Sequence, residues 1–73
     1  MKIRYDQDVD ALTIILKQDI PVDESDEIKP GVILDYDDKG ELVSIEILNA
    51  SLHMPDVTTL EYQLTPQSPR RSA

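Results

Sequence analysis

Carboxylates are the side chains of this sequence that come closest to a pattern with chemistry. From Asp35 to Glu46 the chain reads Asp-x-Asp-x-Lys-Gly-x-Leu-x-x-x-Glu, which follows an EF-hand calcium loop at positions one, three, six, eight and twelve. Position five fails, because Lys39 puts a positive charge where a ligand oxygen belongs. The flanks fail more decisively. An EF-hand needs a helix on each side, whereas period-two apolar residues run through the supposed loop from Val43 to Ile47. The stretch reads as a hairpin turn.

Asp6, Asp8 and Asp10 form a second acidic cluster. Three carboxylates could gather a hard cation, yet no glycine follows them and the would-be twelfth residue is Lys17. Turn chemistry explains them, since Asp accepts bonds from nearby backbone amides. His53 is the one histidine and lacks the companions that zinc requires. It reads as a surface residue after a helical turn. Ser51 and His53 are neighbours in sequence, with neither an orienting carboxylate nor an oxyanion hole marked beside them. The absence of cysteine removes thiol catalysis and thiolate metal sites. No catalytic, metal or cofactor residue is expected, and no enzyme activity. The rival from another class gathers Asp6, Asp8, Asp10, Asp35 and Glu46 into a metal-dependent or acid-catalysed site. That site needs a dimer interface, because so short a chain hardly encloses a pocket alone.

The elements that must position these residues are strands. Lys2–Tyr5 alternates with Ile3 and Tyr5 on one face, and Asp6–Asp10 interrupts it. Ala11–Lys17 resumes with Leu12, Ile14 and Leu16 on one face and Thr13 and Ile15 on the other, closing a first hairpin. Residues 18–29 are polar and acidic, a connection with at most a short extended piece at Ile20–Val22. Pro30-Gly31 punctuates the chain before a second hairpin, Val32–Tyr36 and Leu42–Leu48, whose turn places Gly40 where a type I turn with a G1 bulge needs positive φ. Asn49 or Ser51 caps a short helical turn through Leu52 and His53. Thr58–Leu64 alternates again and reads as a fifth strand, although Val57, Leu60 and Leu64 also fit one helical face. Residues 1–65 form a single sheet-rich domain; residues 66–73 are expected to be a disordered tail. The fold class is mainly β: an antiparallel meander of four to five strands built from two hairpins, with at most one short helical turn.

Partners follow from size and charge. A chain of 73 residues buries about 60% of the surface its unfolded form exposes. Without disulfides, a second subunit is the staple that remains. Ile15, Ile33, Leu42 and Leu48 fall opposite the main apolar set, so a homodimer covering that face is expected, with Leu42 and Leu48 in the contact. The net charge is −8, and with Arg70 and Arg71 set aside as tail the remainder carries 15 acids against 5 bases. Such a surface repels nucleic-acid phosphates and favours a basic protein partner. No stretch resembles a signal peptide or a membrane span, and a cytoplasmic protein is expected.

Three blocks in order resemble a family of small, mostly bacterial proteins. They are Tyr5-Asp6-x-x-x-Asp10-Ala11-Leu12, then Pro30-Gly31-Val32-Ile33-Leu34-Asp35-Tyr36-Asp37, then Gly40-x-Leu42-Val43-x-Ile45-Glu46-Ile47-Leu48-Asn49-Ala50-Ser51. The family is domain of unknown function number 2283, and the resemblance covers residues 1–52. Thr13 stands where the family often has an aromatic residue, and Ser44 where it often has glycine. The resemblance implies a compact sheet-rich domain with no catalytic residue to carry over. For some relatives it also implies an antitoxin-like pairing with a small toxin. Tyr5, Asp6, Asp10, Asp35, Leu42, Glu46, Leu48 and Ser51 are the candidate interaction positions. Among them Asp10 and Asp35 are expected to bond turn amides, and Glu46 to be a buried-edge or partner-facing carboxylate.

Overall fold

Five antiparallel strands, four of them built on alternating apolar residues, make up the computed structural model, which describes residues 1–67. They are β1 (Lys2–Asp6), β2 (Ala11–Ile15), β3 (Glu24–Lys29), β4 (Val32–Tyr36) and β5 (Leu42–Leu48), followed by a single turn of helix, α1 (Ala50–His53). Four strands and the helix fall where the apolar alternation places them. The fifth does not. Residues 57–64 form neither strand nor helix, and the acidic stretch Glu24–Lys29, expected to be a connection, supplies the strand instead. Of the tail 66–73, residues 66 and 67 are exposed and in no element, and residues 68–73 lie outside the described residues.

Across the sheet the order is β1-β2-β5-β4-β3, so a hairpin and a three-strand meander are joined through β2 and β5. This is a Greek-key path with the long connection first. A plain meander would set β2 beside β3, the most acidic strand. Pairing it with β5 instead places the most apolar strand between two others and removes more apolar surface from water. Residues 16–23 make the crossing. The amides of Leu16 and Lys17 both donate to the Val43 carbonyl, at 2.8 and 3.2 Å, and the Asp23 amide donates to that of Tyr36 at 2.7 Å.

Register sorts the side chains into two faces. Ile14, Ile45 and Leu34 are aligned across β2, β5 and β4, as are Leu12, Ile47 and Val32, with Ile3 and Tyr5 beyond them on β1. Residues 54–60 lie over this apolar face against Ile3, Tyr5, Leu12 and Ile14, leaving an open cleft of about 270 Å³. On the other face one row carries Thr13, Glu46 and Ile33, and the next carries Ile15, Ser44, Asp35 and Ser25. Val43 and Ala50 are the only fully buried apolar residues among those described. The core is thin, as expected for this length.

The β4–β5 turn closes on Asp37. Its Oδ1 accepts the amides of Lys39 and Glu41, both at 2.9 Å, while Gly40 takes φ of +77° and donates to the Asp37 carbonyl at 3.1 Å. Lys17 ties the crossing to this turn through ion pairs with Asp37, at 3.7 Å, and with Glu41. The stretch that imitates a calcium loop is therefore a hairpin flanked by strands.

Candidate functional site

Asp35 is the most buried ionisable group among the described residues, 3% exposed in the middle of the polar face. Its position follows from register. Ser44 lies directly opposite on β5 and Ser25 opposite on β3, so two hydroxyls flank it within the sheet. The Ser25 hydroxyl donates to Oδ1 at 2.6 Å and the Ser44 hydroxyl to Oδ2 at 2.7 Å. Glu46, two residues along β5 from Ser44, is the diagonal neighbour of Asp35, close enough for the two carboxyls to act on each other's protonation. Burial pushes the Asp35 carboxyl upward, but the bonds from Glu46, Ser25 and Ser44 outweigh it and hold Asp35 below the ordinary value. Glu46 moves the other way. Its bond to Asp35 raises it, and burial and the Asp35 charge add to the rise. Glu46 is therefore the member of the pair that takes up a proton first as pH falls, and the two titrate as a unit.

This pair opens on a cleft of about 360 Å³ whose far wall is the crossing, through Ile20 and Val22, and whose rim holds Arg4 and Lys17. The cleft thus joins the Asp35 and Glu46 carboxyls, the hydroxyls of Thr13 and Ser44, and two cations, with Asp19 also on its lining. Both Asp35 oxygens are already engaged with hydroxyls. Asp35 bonds these rather than turn amides, a correction that follows from its place in mid-strand, where the amides belong to the ladder.

The second carboxylate centre is Asp10. It closes the β1–β2 turn in the left-handed conformation, φ 54°, which Asp tolerates better than most residues. Its carboxylate accepts the Tyr5 hydroxyl at 2.6 Å, the Ser51 hydroxyl at 2.6 Å and the Ser51 amide at 3.0 Å. Its own carbonyl accepts the Ala50 amide at 2.9 Å. Neither Asn49 nor Ser51 caps α1 with its side chain: Asn49 sits at the cap with φ 52° and makes no such bond. The cap comes from Asp10, whose carboxylate accepts the Ser51 amide 41 residues away while its carbonyl accepts that of Ala50. The Ser51 hydroxyl, then the Tyr5 hydroxyl, hold Asp10 below the ordinary carboxylate value, and the same bond raises Tyr5.

The candidate positions therefore resolve into two groups and three outliers. Tyr5, Asp10 and Ser51 come together, as do Asp35 and Glu46. Asp6 accepts the Asp8 amide at 2.9 Å in a local turn and joins neither group. Leu42 and Leu48 lie at opposite ends of β5, about 20 Å apart at the usual strand rise. Leu48 instead meets the β3–β4 turn: its amide donates to the Gly31 carbonyl at 2.8 Å, and a Cβ on Gly31, at φ +82°, would lie 3.2 Å from the Leu48 oxygen. Ser25, Ser44 and Arg4 are the members of the polar site that sequence reasoning missed. Ser44, a lone small polar residue between Val43 and Ile45, carried a usable signal. Ser25 carried none, because a strand with a single apolar residue, Ile28, shows no alternation.

The chain matches the family described as "Protein of unknown function (DUF2283)" over residues 2–51. It belongs to that family. No curated protein and no solved structure matches it. The DUF2283 segment spans the whole sheet and ends on Ser51, the residue that Asp10 holds. Both carboxylate centres therefore lie inside the DUF2283 unit, and the segment over the apolar face lies outside it.

Proposed function

We propose that this DUF2283 chain is a small acidic protein-binding module. It pairs with itself as a homodimer and takes a basic protein as its partner in the cytoplasm, in the manner of an antitoxin holding its toxin. The observation that supports this reading is β3. It is an edge strand with every residue exposed, and Glu24, Asp26 and Glu27 stand along it beside a free row of backbone donors and acceptors. Carboxylates on an edge repel a second acidic copy and admit a basic one. An extended basic segment adding to β3 gains main-chain hydrogen bonds and charge complementarity together. The same negative surface disfavours nucleic acid, and no helix among the described residues is long and apolar enough to cross a membrane.

Calorimetry with an extended peptide of alternating lysine and valine tests the edge. Wild type should bind with an affinity that falls as salt rises, and the triple variant Glu24→Lys, Asp26→Lys, Glu27→Lys should not bind. Equal binding by both would remove β3 from the proposal. A second reading rests on the Asp35–Glu46 pair and its cleft: a metal-dependent or acid-catalysed activity. Its metal-dependent form ends if calcium, magnesium and manganese give neither heat nor a shift in melting temperature.

A further inference from the structure

The two edges of the sheet carry opposite patterns, and β1 is the one that fits itself. It reads Lys2-Ile3-Arg4-Tyr5-Asp6, with bases toward one end and an acid at the other. Its outer edge pairs with no strand among the described residues. Neither Lys2 nor Arg4 makes an ion pair among the described residues, and the Asp6 carboxylate accepts only one local amide there. We propose that two copies join antiparallel through β1, about a two-fold axis at Arg4, forming one continuous ten-stranded sheet. This rests on the self-pairing reading above and names its interface.

The register follows from charge. With Arg4 on the axis, Lys2 of each copy lies opposite Asp6 of the other, and Ile3 lies opposite Tyr5. The two-fold makes every favourable pair occur twice. The like-charged Arg4 pair falls on the face that carries Asp35 and Glu46, and Arg4 lines the same cleft as these acids, whose negative charge offsets the repulsion. β3 offers no such match. Antiparallel self-pairing there sets acids against acids, and the register slip between Glu27 and Lys29 breaks the ladder.

A five-residue strand pair alone buries less than the roughly 1,600 Å² of a standard interface. The remaining apolar surface stands at the same edge. Residues 54–60 lie over Ile3 and Tyr5, and the chain continues with Leu60, Tyr62 and Leu64 exposed by 67, 74 and 79%. In a joined sheet the apolar faces of both copies lie on the same side, so these side chains reach the partner across β1. The alternation of Leu60, Tyr62 and Leu64, unused within the chain, then has an apolar surface to meet.

The chain has no cysteine, so one introduced thiol is a clean probe. Arg4→Cys should give a disulfide-linked dimer on air oxidation, because the axis sets residue 4 against its own copy. Asp26→Cys on β3 should stay monomeric on a denaturing, non-reducing gel. In parallel, sedimentation equilibrium should show Lys2→Asp weakening association about tenfold, by loss of two symmetric ion pairs and gain of two repulsions. The double variant Lys2→Asp, Asp6→Lys should restore it. A dimer that neither crosslinks at residue 4 nor responds to the charge swap overturns the β1 interface and leaves self-pairing standing. A monomer at every concentration overturns both.

Discussion

Asp10 and Asp35 are the same residue type, Asp10 held by three hydrogen-bond donors and Asp35 by two hydroxyls beside a second carboxyl, and they make opposite demands on their surroundings. Asp10 takes its bonds from the Tyr5 hydroxyl and from the hydroxyl and amide of Ser51, groups that keep their protons throughout the neutral range. Asp35 takes two from Ser25 and Ser44, and its third neighbour is Glu46, a carboxyl that can donate to it only while protonated. The Asp10 clasp is thus indifferent to pH near neutrality, whereas the polar centre of the sheet is conditional on it. What separates the two is the third neighbour. An amide at a helix end is permanent, and a carboxylic acid is not.

The largest expected break in this comparison is Asp35→Ala. It leaves the buried Ser44 hydroxyl without its acceptor and takes the Asp35 bond from the more exposed Ser25, and should cost about 1–3 kcal/mol, read from urea unfolding at neutral pH. A cost no larger than that of an exposed substitution would show that water satisfies these groups.

Glu46→Gln sharpens the contrast. Because Glu46 is raised in the folded protein, its contribution is complete below the ordinary glutamate value and is lost as pH climbs through the folded value. Glutamine donates to Asp35 at every pH. The variant should therefore match wild type near pH 4 and exceed it near neutrality, by about 1 kcal/mol, the net worth of one hydrogen bond. Urea midpoints across that range would show the two curves parting, and curves that stay parallel would refute a bond from protonated Glu46 to Asp35.

Asp10→Asn probes the clasp with less disturbance, since Asn tolerates the left-handed backbone and keeps an acceptor oxygen. Its loss in melting temperature should be smaller than that of Asp35→Ala. Lowered carboxylates such as Asp10, Asp37 and Asp56, the last at about 2 and held there by the Thr58 hydroxyl, contribute stability above the ordinary value that is lost as pH falls through the folded one. Thermal melts should thus decline below the ordinary aspartate range, and Asp10→Asn should decline less steeply than wild type. An equal slope would mean that Asp10 keeps its bonds in the unfolded chain.

Much of the sheet was legible because burial imposes period two. Ile3 and Tyr5, Leu12 and Ile14, Val32 and Leu34, and Val43, Ile45 and Ile47 each announce a strand and its inner face. The misplaced fifth strand shows where that signal stops. Thr58–Leu64 alternates but finds no partner among the described residues, whereas Glu24–Lys29, with acids at half its positions, is a strand because β4 offers it a ladder. Hydropathy reports what a strand buries, and an edge strand that buries nothing is silent.

The sites divide along the same line. By itself the sequence determined the strand-forming segments, the turn at Gly40, the acidic balance and the family, because these depend on local sterics and summed composition. Only the tertiary structure decided that β2 lies beside β5, that Asp10 caps a helix 41 residues away, and that Asp35 meets Ser25, Ser44 and Glu46. Those outcomes turn on register between distant strands. Register is set by burying the most apolar strand at the centre of the sheet, a competition among whole arrangements to which each residue contributes only a part.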